Sequence, residues 1–398
     1  MTRHALISGA SIAGPALAHQ LNARGWRTTV VERSPRLREE GQNVDLRGAG
    51  REVARRMGIE DVLLAATTTE VGTRFVDERG RAIAEFPAGE NDTDGATAEL
   101  EILRGDFARV LYDRTADDTE YRFGDRITDL VDHDDRVTAT LESGARIDAD
   151  VVVVAEGTRS RTRDLVVPDA ELKELGLYVA YATIPRTPDD DRWWRWYHTT
   201  GTGGVSLRPD NRGTTRAMLS FMSDVRGLEA LDRDSQIAIL RRTLGDVGWE
   251  GPRVLAALDD APMYFDAVAQ VRLPRWSTGR RVLLGDAAWA AGPFGTGTST
   301  ALTGAYILAG ELDANPDHRV ALERYEQLMR PFIDEVQDVK PAMLKAVNPR
   351  SRAGVALQRV AFRAAAEVSS RFGGLFSALT RPRSDAIELP DYPVLTSR

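Results

Sequence analysis

Gly9, Ser11 and Gly14 fall in a short turn after the apolar run Leu6-Ile7-Ser8, and an acid, Glu32, closes the next apolar run, Thr28-Thr29-Val30-Val31. Small residues at this spacing let a strand bend sharply into a helix. The first N–H groups of that helix, and its partial positive field, can then meet a pyrophosphate. Gly9 permits the bend and Gly14 lets helix and strand approach, while Ser11 takes the place of the usual middle glycine. Ile12 and Ala13 complete the turn, and Arg33 follows the acid. Glu32 is suited to accept hydrogen bonds from adenosine ribose hydroxyls. The bland alternative is a strand–helix turn that holds no ligand.

A second set lies far along the chain. Asp286 follows the apolar Val282-Leu283-Leu284-Gly285, and Gly292-Pro293-Phe294-Gly295-Thr296-Gly297-Thr298 comes after it. The acid is placed to hold a ribityl hydroxyl. The Gly-Thr-Gly-Thr turn opens a helix whose N–H groups would face developing negative charge, which in a reduced flavin sits near N1 and the C2 carbonyl oxygen. A third set is Asp150-Val151-Val152-Val153-Val154-Ala155-Glu156-Gly157 with Ser160, Arg161 and Arg163, a buried strand delivering an acid and a glycine to the edge of a sheet. Arg104, just ahead of a helix, offers a forked donor to phosphate or flavin oxygens. Glycines also serve ordinary turns and arginines solvated faces, so each set is ambiguous alone.

The elements that must position these residues follow from periodicity. Residues 4–8 and 28–32 read as buried parallel strands around a helix at 13–24, with Gly25 closing that helix. A helix over 51–64 is broken by Gly58. A hairpin joins 71–76 to 81–86, a polar loop spans 89–95, and a helix runs from Arg104 to Asp113. Strands are expected at 127–131, 136–141 and 146–154. Short β-prone runs at 178–184, 193–199, 204–209 and 214–220 predict an antiparallel sheet, followed by a helix at 232–244. The α/β pattern resumes at Val282, with helices from about 298, 316 and 350. The fold class is α/β: a Rossmann-like domain with an inserted mixed or antiparallel-sheet domain and C-terminal helices. Expected divisions are 1–70, 96–167 and 275–345 for the first domain, 71–95 and 168–274 for the second, and 346–398 for the C-terminal segment.

Composition limits the partners. The 398 residues carry 52 basic and 60 acidic side chains, net −8, which opposes binding to nucleic acid or an anionic membrane. With no cysteine there is no thiolate chemistry, so redox work would need a cofactor. None of the five histidines pairs with another at i,i+3 or i,i+4, and no metal is expected. No apolar run approaches ~20 residues and no leader pattern opens the chain, so a cytoplasmic location and no membrane span are expected.

Taken together, the order of motifs resembles the flavin monooxygenases of the para-hydroxybenzoate hydroxylase class, especially the compact branch of tetracycline-inactivating monooxygenases. The resemblance rests on the Gly9–Gly14 turn, Glu32, Val44-Asp45-Leu46-Arg47-Gly48, Arg104, Ala155-Glu156-Gly157 through Arg163, and Gly285-Asp286 through Thr298. It implies bound FAD, transient NADPH or NADH, and dioxygen. Positions matching Glu32, Arg104 and Asp286 would contact FAD, as would Arg33, Arg47 and Thr298. The segment with Glu156 and Gly157 would help handle the dinucleotide and nicotinamide, and Gly295, Thr296 and Gly297 would cradle the isoalloxazine. Glu156 stands where Asp is commoner, and Trp289 where His often follows Gly-Asp-Ala-Ala.

The resemblance implies a single-component hydroxylase acting on an aromatic or polycyclic small molecule such as a polyketide or antibiotic, as a monomer or homodimer. The alternatives are a flavin-dependent dehydrogenase or epoxidase, and a flavin-binding protein without turnover. No side chain emerges as an obligatory acid or base, and an ordinary strand or surface role is expected for His198. Alternation along a strand puts Trp194 and Trp196 on one face, where they either line a planar-substrate pocket or pack as core. Phe221, Trp289 and Phe294 are the other expected pocket walls, the last two because they flank the flavin loop.

Overall fold

The computed structural model describes residues 2–38, 41–88, 100–168, 170–199, 203–292, 296–338, 349, 351–380 and 387–393. A six-stranded sheet runs in the spatial order Ser277–Thr278, Arg281–Leu283, Val151–Val154, His4–Ser8, Arg27–Glu32, Thr119–Phe123. All its neighbours pair in parallel except the first two. Val151–Val154, His4–Ser8 and most of Arg27–Glu32 are buried, as parallel strands covered on both faces must be. The chain leaves His4–Ser8 toward one neighbour and returns much later to the other. The carboxyl ends of these strands therefore frame the crevice where open α/β sheets bind ligands.

The expected strand 146–154 is two strands in different sheets. Arg146–Ala149 belongs to a three-stranded antiparallel sheet with Val137–Leu141 and Ile127–Asp132. Asp150 makes the break: its N–H donates to the His4 carbonyl at 2.8 Å and its carboxylate accepts from the His4 N–H at 2.6 Å.

A seven-stranded sheet follows the order Met263–Val271, Leu172–Pro185, Thr214–Met222, Gly203–Pro209, Trp194–His198, Gly72–Val76, Ala82–Pro87. It is antiparallel apart from one parallel pair, Trp194–His198 with Gly72–Val76, which joins the early hairpin to the later strands. On its outer face Tyr178, Tyr197, Val205, Leu219 and Phe221 form a separate hydrophobic core with the helices Arg233–Leu244 and Gly251–Ala257. The register places Trp196, Ser206, Met218, Tyr181 and Tyr264 in one row on the inner face. Contacts from this face reach the first domain: Arg208 bonds Glu101, Asp266 bonds Arg159, and Gln270 bonds the Ala291 carbonyl. The architecture is thus an α/β Rossmann-like domain carrying an inserted mixed sheet, with the helices His318–Val336 and Arg352–Thr380 after it.

Candidate functional site

The glycine turn is enforced by close backbone packing. Gly9 has φ +113°, and a Cβ there would lie 2.4 Å from the Ala155 carbonyl oxygen. A Cβ on Gly14 would lie 2.0 Å from the Gly9 carbonyl oxygen. Pro15 then falls in the first turn of the helix Ala13–Asn22, where its missing N–H costs no hydrogen bond. Ile12 is the N-cap and supplies no side-chain cap, which leaves the helix N-terminus to be satisfied by a ligand or solvent. Ala13 faces Gly285, whose added Cβ would sit 3.1 Å from the Ala13 Cβ.

Glu32 is buried at the end of its strand and accepts from the N–H of Ala10 and of Ser34, both at 2.9 Å. It lines a cleft with Gly9, Arg33, Arg38, Arg126 and Glu156. Glu156 has little acceptor capacity left for a ligand. Its carboxylate receives the hydroxyls of Ser8, Ser160 and Thr162 and the N–H groups of Arg161 and Thr162. The acid therefore braces the cleft wall, and Gly157 beside it takes φ +82° with open space at its Cβ position. Arg163 is also structural, donating to the carbonyls of Ala287, Gly157 and Thr158.

Beyond the turn, Arg104 opens the helix Arg104–Asp113 and donates to Ser11 Oγ at 2.9 Å. The serine at the middle-glycine position thus fixes an arginine beside the Gly9–Gly14 turn. Asp286 lies at the other side. A Cβ on Gly297, the first residue of the helix Gly297–Ala314, would be 3.3 Å from its Oδ1. Burial raises the Asp286 pKa, opposed by Arg104 and then Arg163. Thr296 is the N-cap of that helix without a side-chain cap, and Thr298 is in its first turn. Arg47 joins the set through its N–H, which donates to Ser299 Oγ at 3.0 Å. Gly295 and Phe294 lie outside the described residues.

Two expected pocket walls are core residues instead. Phe221 is buried in the outer-face core, stacked 5.4 Å from Tyr178 because its strand register points it away from the inner face. Trp289 ends the short helix Asp286–Trp289, which turns its ring inward against Trp276 at 4.6 Å and over Gly304. Trp194 and Trp196 do share the inner face, 4.8 Å apart. Trp194 stacks under the Arg208 guanidinium, 3.7 Å from the ring centroid. Arg208 also bonds the buried carboxylates of Glu70 and Glu101, a cluster that sequence reading missed. Its only signal was the polar alternation Ser206, Arg208 in an otherwise apolar strand. Among described residues, no group of acids and histidines is arranged to hold a metal, and no helix is long and apolar enough to cross a membrane.

A family described as "FAD binding domain" matches residues 2–339. The flavin-dependent monooxygenase eupH of Phoma sp is 36% identical over 97% of this chain and 97% of its own length. The crystal structure of tetracycline destructase Tet(55) superposes with a TM-score of 0.82 at 32% identity, covering 98% of this chain and 99% of that one. Klebsiella pneumoniae HpxO, solved with FAD and uric acid, shares the fold with a TM-score of 0.77 at 20% identity, over 96% of this chain and 97% of that one.

Proposed function

The chain belongs to the FAD-binding monooxygenase family, and from that premise we propose that it oxygenates an aromatic or polycyclic small molecule, with NADPH or NADH as reductant and dioxygen as co-substrate. The observation that carries the cofactor assignment is the Asp286 carboxylate. It makes no hydrogen bond among the described residues, yet it lies recessed between Arg104 and the start of a long helix. A half-buried acceptor in that position is suited to a ligand hydroxyl.

Each segment then has a task. The Gly9–Gly14 turn and the N-terminus of Ala13–Asn22 would take the pyrophosphate, and Glu32 would take the adenosine ribose with its remaining lone pairs. Arg104, held by Ser11, would add a cation beside the phosphates. Asp286 would accept from a ribityl hydroxyl, and the N–H groups of Gly297 and Thr298 would face the pyrimidine edge of the ring. Bound FAD supplies electron transfer from the nicotinamide and activation of dioxygen. The helix N-terminus favours negative charge developing against it, because its N–H dipoles are already oriented and need no reorganisation.

The inner face of the mixed sheet would cover the substrate and exclude water. Its aromatic pair Trp194 and Trp196 supports a planar ligand, and the name of the tetracycline destructase relative supports a polycyclic one. The test is turnover of candidate aromatics under isotopically labelled dioxygen with NADPH or NADH. One labelled oxygen atom in the product supports monooxygenation. Oxidised product without label would show a dehydrogenase, and absence of nicotinamide oxidation with every candidate would reject the reductant.

A further inference from the structure

Arg208 reaches from the strand Gly203–Pro209 of the inserted sheet to two carboxylates on different elements. Its Nε donates to Glu70 at 2.9 Å, and its Nη2 donates to Glu101. The Glu70 and Glu101 side chains are 2% and 3% exposed, and Glu101 Oε2 is buried with no hydrogen-bond partner among the described residues. Asp45 stands directly opposite Glu101 in the antiparallel pairing of Asn43–Asp45 with Glu101–Leu103, and lies 3.9 Å from Arg47. Trp194 covers the Arg208 guanidinium, while Arg192 donates to the Thr69 carbonyl at 2.8 Å.

One guanidinium thus faces two buried carboxylates, with a third across the strand pair. Like charges directly opposite on a sheet repel, and a buried ion without a matching countercharge is costly. A proton on one of the two carboxyls relieves both penalties and leaves Arg208 against a single negative charge. Burial pushes the Glu70 pKa up to about 7, with Arg208 pulling it down and Asp45 adding to the rise.

Glu70 sits where the chain crosses between the domains. Thr68 donates its N–H to the Glu101 carbonyl, and Val71 donates its own to the Arg192 carbonyl, both at 2.9 Å. Between them Thr69 has φ +60°, a left-handed conformation that a β-branched residue keeps only under constraint from its surroundings. The Glu70–Arg208 bond is part of that constraint.

We propose that Glu70 and Glu101 hold one proton between them, and that the protonated cluster latches the inserted sheet over the flavin site. When the proton passes to solvent, the buried net charge draws in water, Thr69 relaxes and the latch loosens. Glu70, Glu101 and Arg208 are then positioning residues that make closure of the site pH-dependent. The proposal rests on the flavin site assigned above and is independent of the substrate.

Infrared pH titration and iodide quenching of flavin fluorescence test this on the FAD-loaded protein. The carbonyl band of a protonated, buried carboxyl should be lost in wild type as pH rises through about 7. That step should be missing from both Glu70→Gln and Glu101→Gln, because Arg208 then matches the one remaining carboxylate. Over the same range iodide quenching should rise in wild type and stay low in Glu70→Gln, whose amide mimics the protonated acid. A step that persists in both variants would overturn the shared proton, and quenching that is flat in wild type would overturn the latch. The infrared step needs no flavin, so failure of the flavin assignment would remove the fluorescence signal at every pH and leave that step in place. Should a variant fail to fold, wild type decides: coincident steps support the latch, and their absence overturns it.

Discussion

Asp286 and His198 are recessed polar side chains with different consequences for ligand and stability. Removing the Asp286 carboxylate takes one acceptor from the proposed ribityl contact, a loss on the order of 1–3 kcal/mol. Asp286→Ala should therefore raise the FAD dissociation constant by about 5- to 150-fold in titrations of the apoprotein, with the folded circular dichroism spectrum retained. Unchanged affinity would reject the contact. His198 acts on stability through protons. It is neutral in both folded and unfolded chains above pH ~6.5, but as pH falls toward about 4 only the unfolded chain gains the proton. Stability should drop through that window by up to about 3 kcal/mol from this residue. His4 and His19 are shifted the same way by burial, so His198→Phe should flatten the fall of Tm between pH 6.5 and 4 without abolishing it. A Tm profile identical to wild type would contradict the buried neutral state.

Among the elements, the helix Gly297–Ala314 ties the site to the rest of the chain, and glycines mark three of its close approaches. A Cβ on Gly50 would meet Ser299 Cα at 2.5 Å, and one on Gly304 would meet the Trp289 ring at 2.8 Å. At its far end Gly310 lies under Tyr392, whose ring is 2.2 Å from the Cβ position and whose hydroxyl donates to Glu311 at 2.6 Å. Gly310→Ala should displace the segment 387–393 while leaving the helix in place. Limited proteolysis should then cut near the C-terminus faster than in wild type, and an unchanged digestion rate would count against this packing. Local signals made several elements readable in the sequence. The helix at Arg104 begins where expected, Gly58 separates two helices with φ +65°, and the Asp77–Gly80 turn joins its hairpin. Thr119–Phe123 escaped notice because its Glu and Arg hide an edge strand whose partner, Arg27–Glu32, lies far away in sequence. Phe221 and Trp289 were misplaced for a related reason: aromaticity says that a side chain will be buried, while register and helix direction decide against what.

Across the whole molecule, the order of motifs carried more than any single motif, because a cradle built from distant segments leaves a trace at each of them. Gly9, Glu32, Arg104 and Asp286 converge around one sheet edge, although 277 positions separate the first from the last. Contacts between the domains were far less readable. Arg208 with Glu70 and Glu101, and Arg159 with Asp266 and Glu229, pair residues whose proximity only the assembled sheet reveals. Such pairs hold the inserted sheet over the site, and a ligand seated at the same junction would stabilise both halves by mass action. The most direct measurement is the absorption spectrum of the purified protein, with mass identification of the chromophore released on denaturation. A flavin spectrum and stoichiometric FAD are the predicted result. A protein that neither retains FAD nor binds it when FAD is added would contradict the central claim.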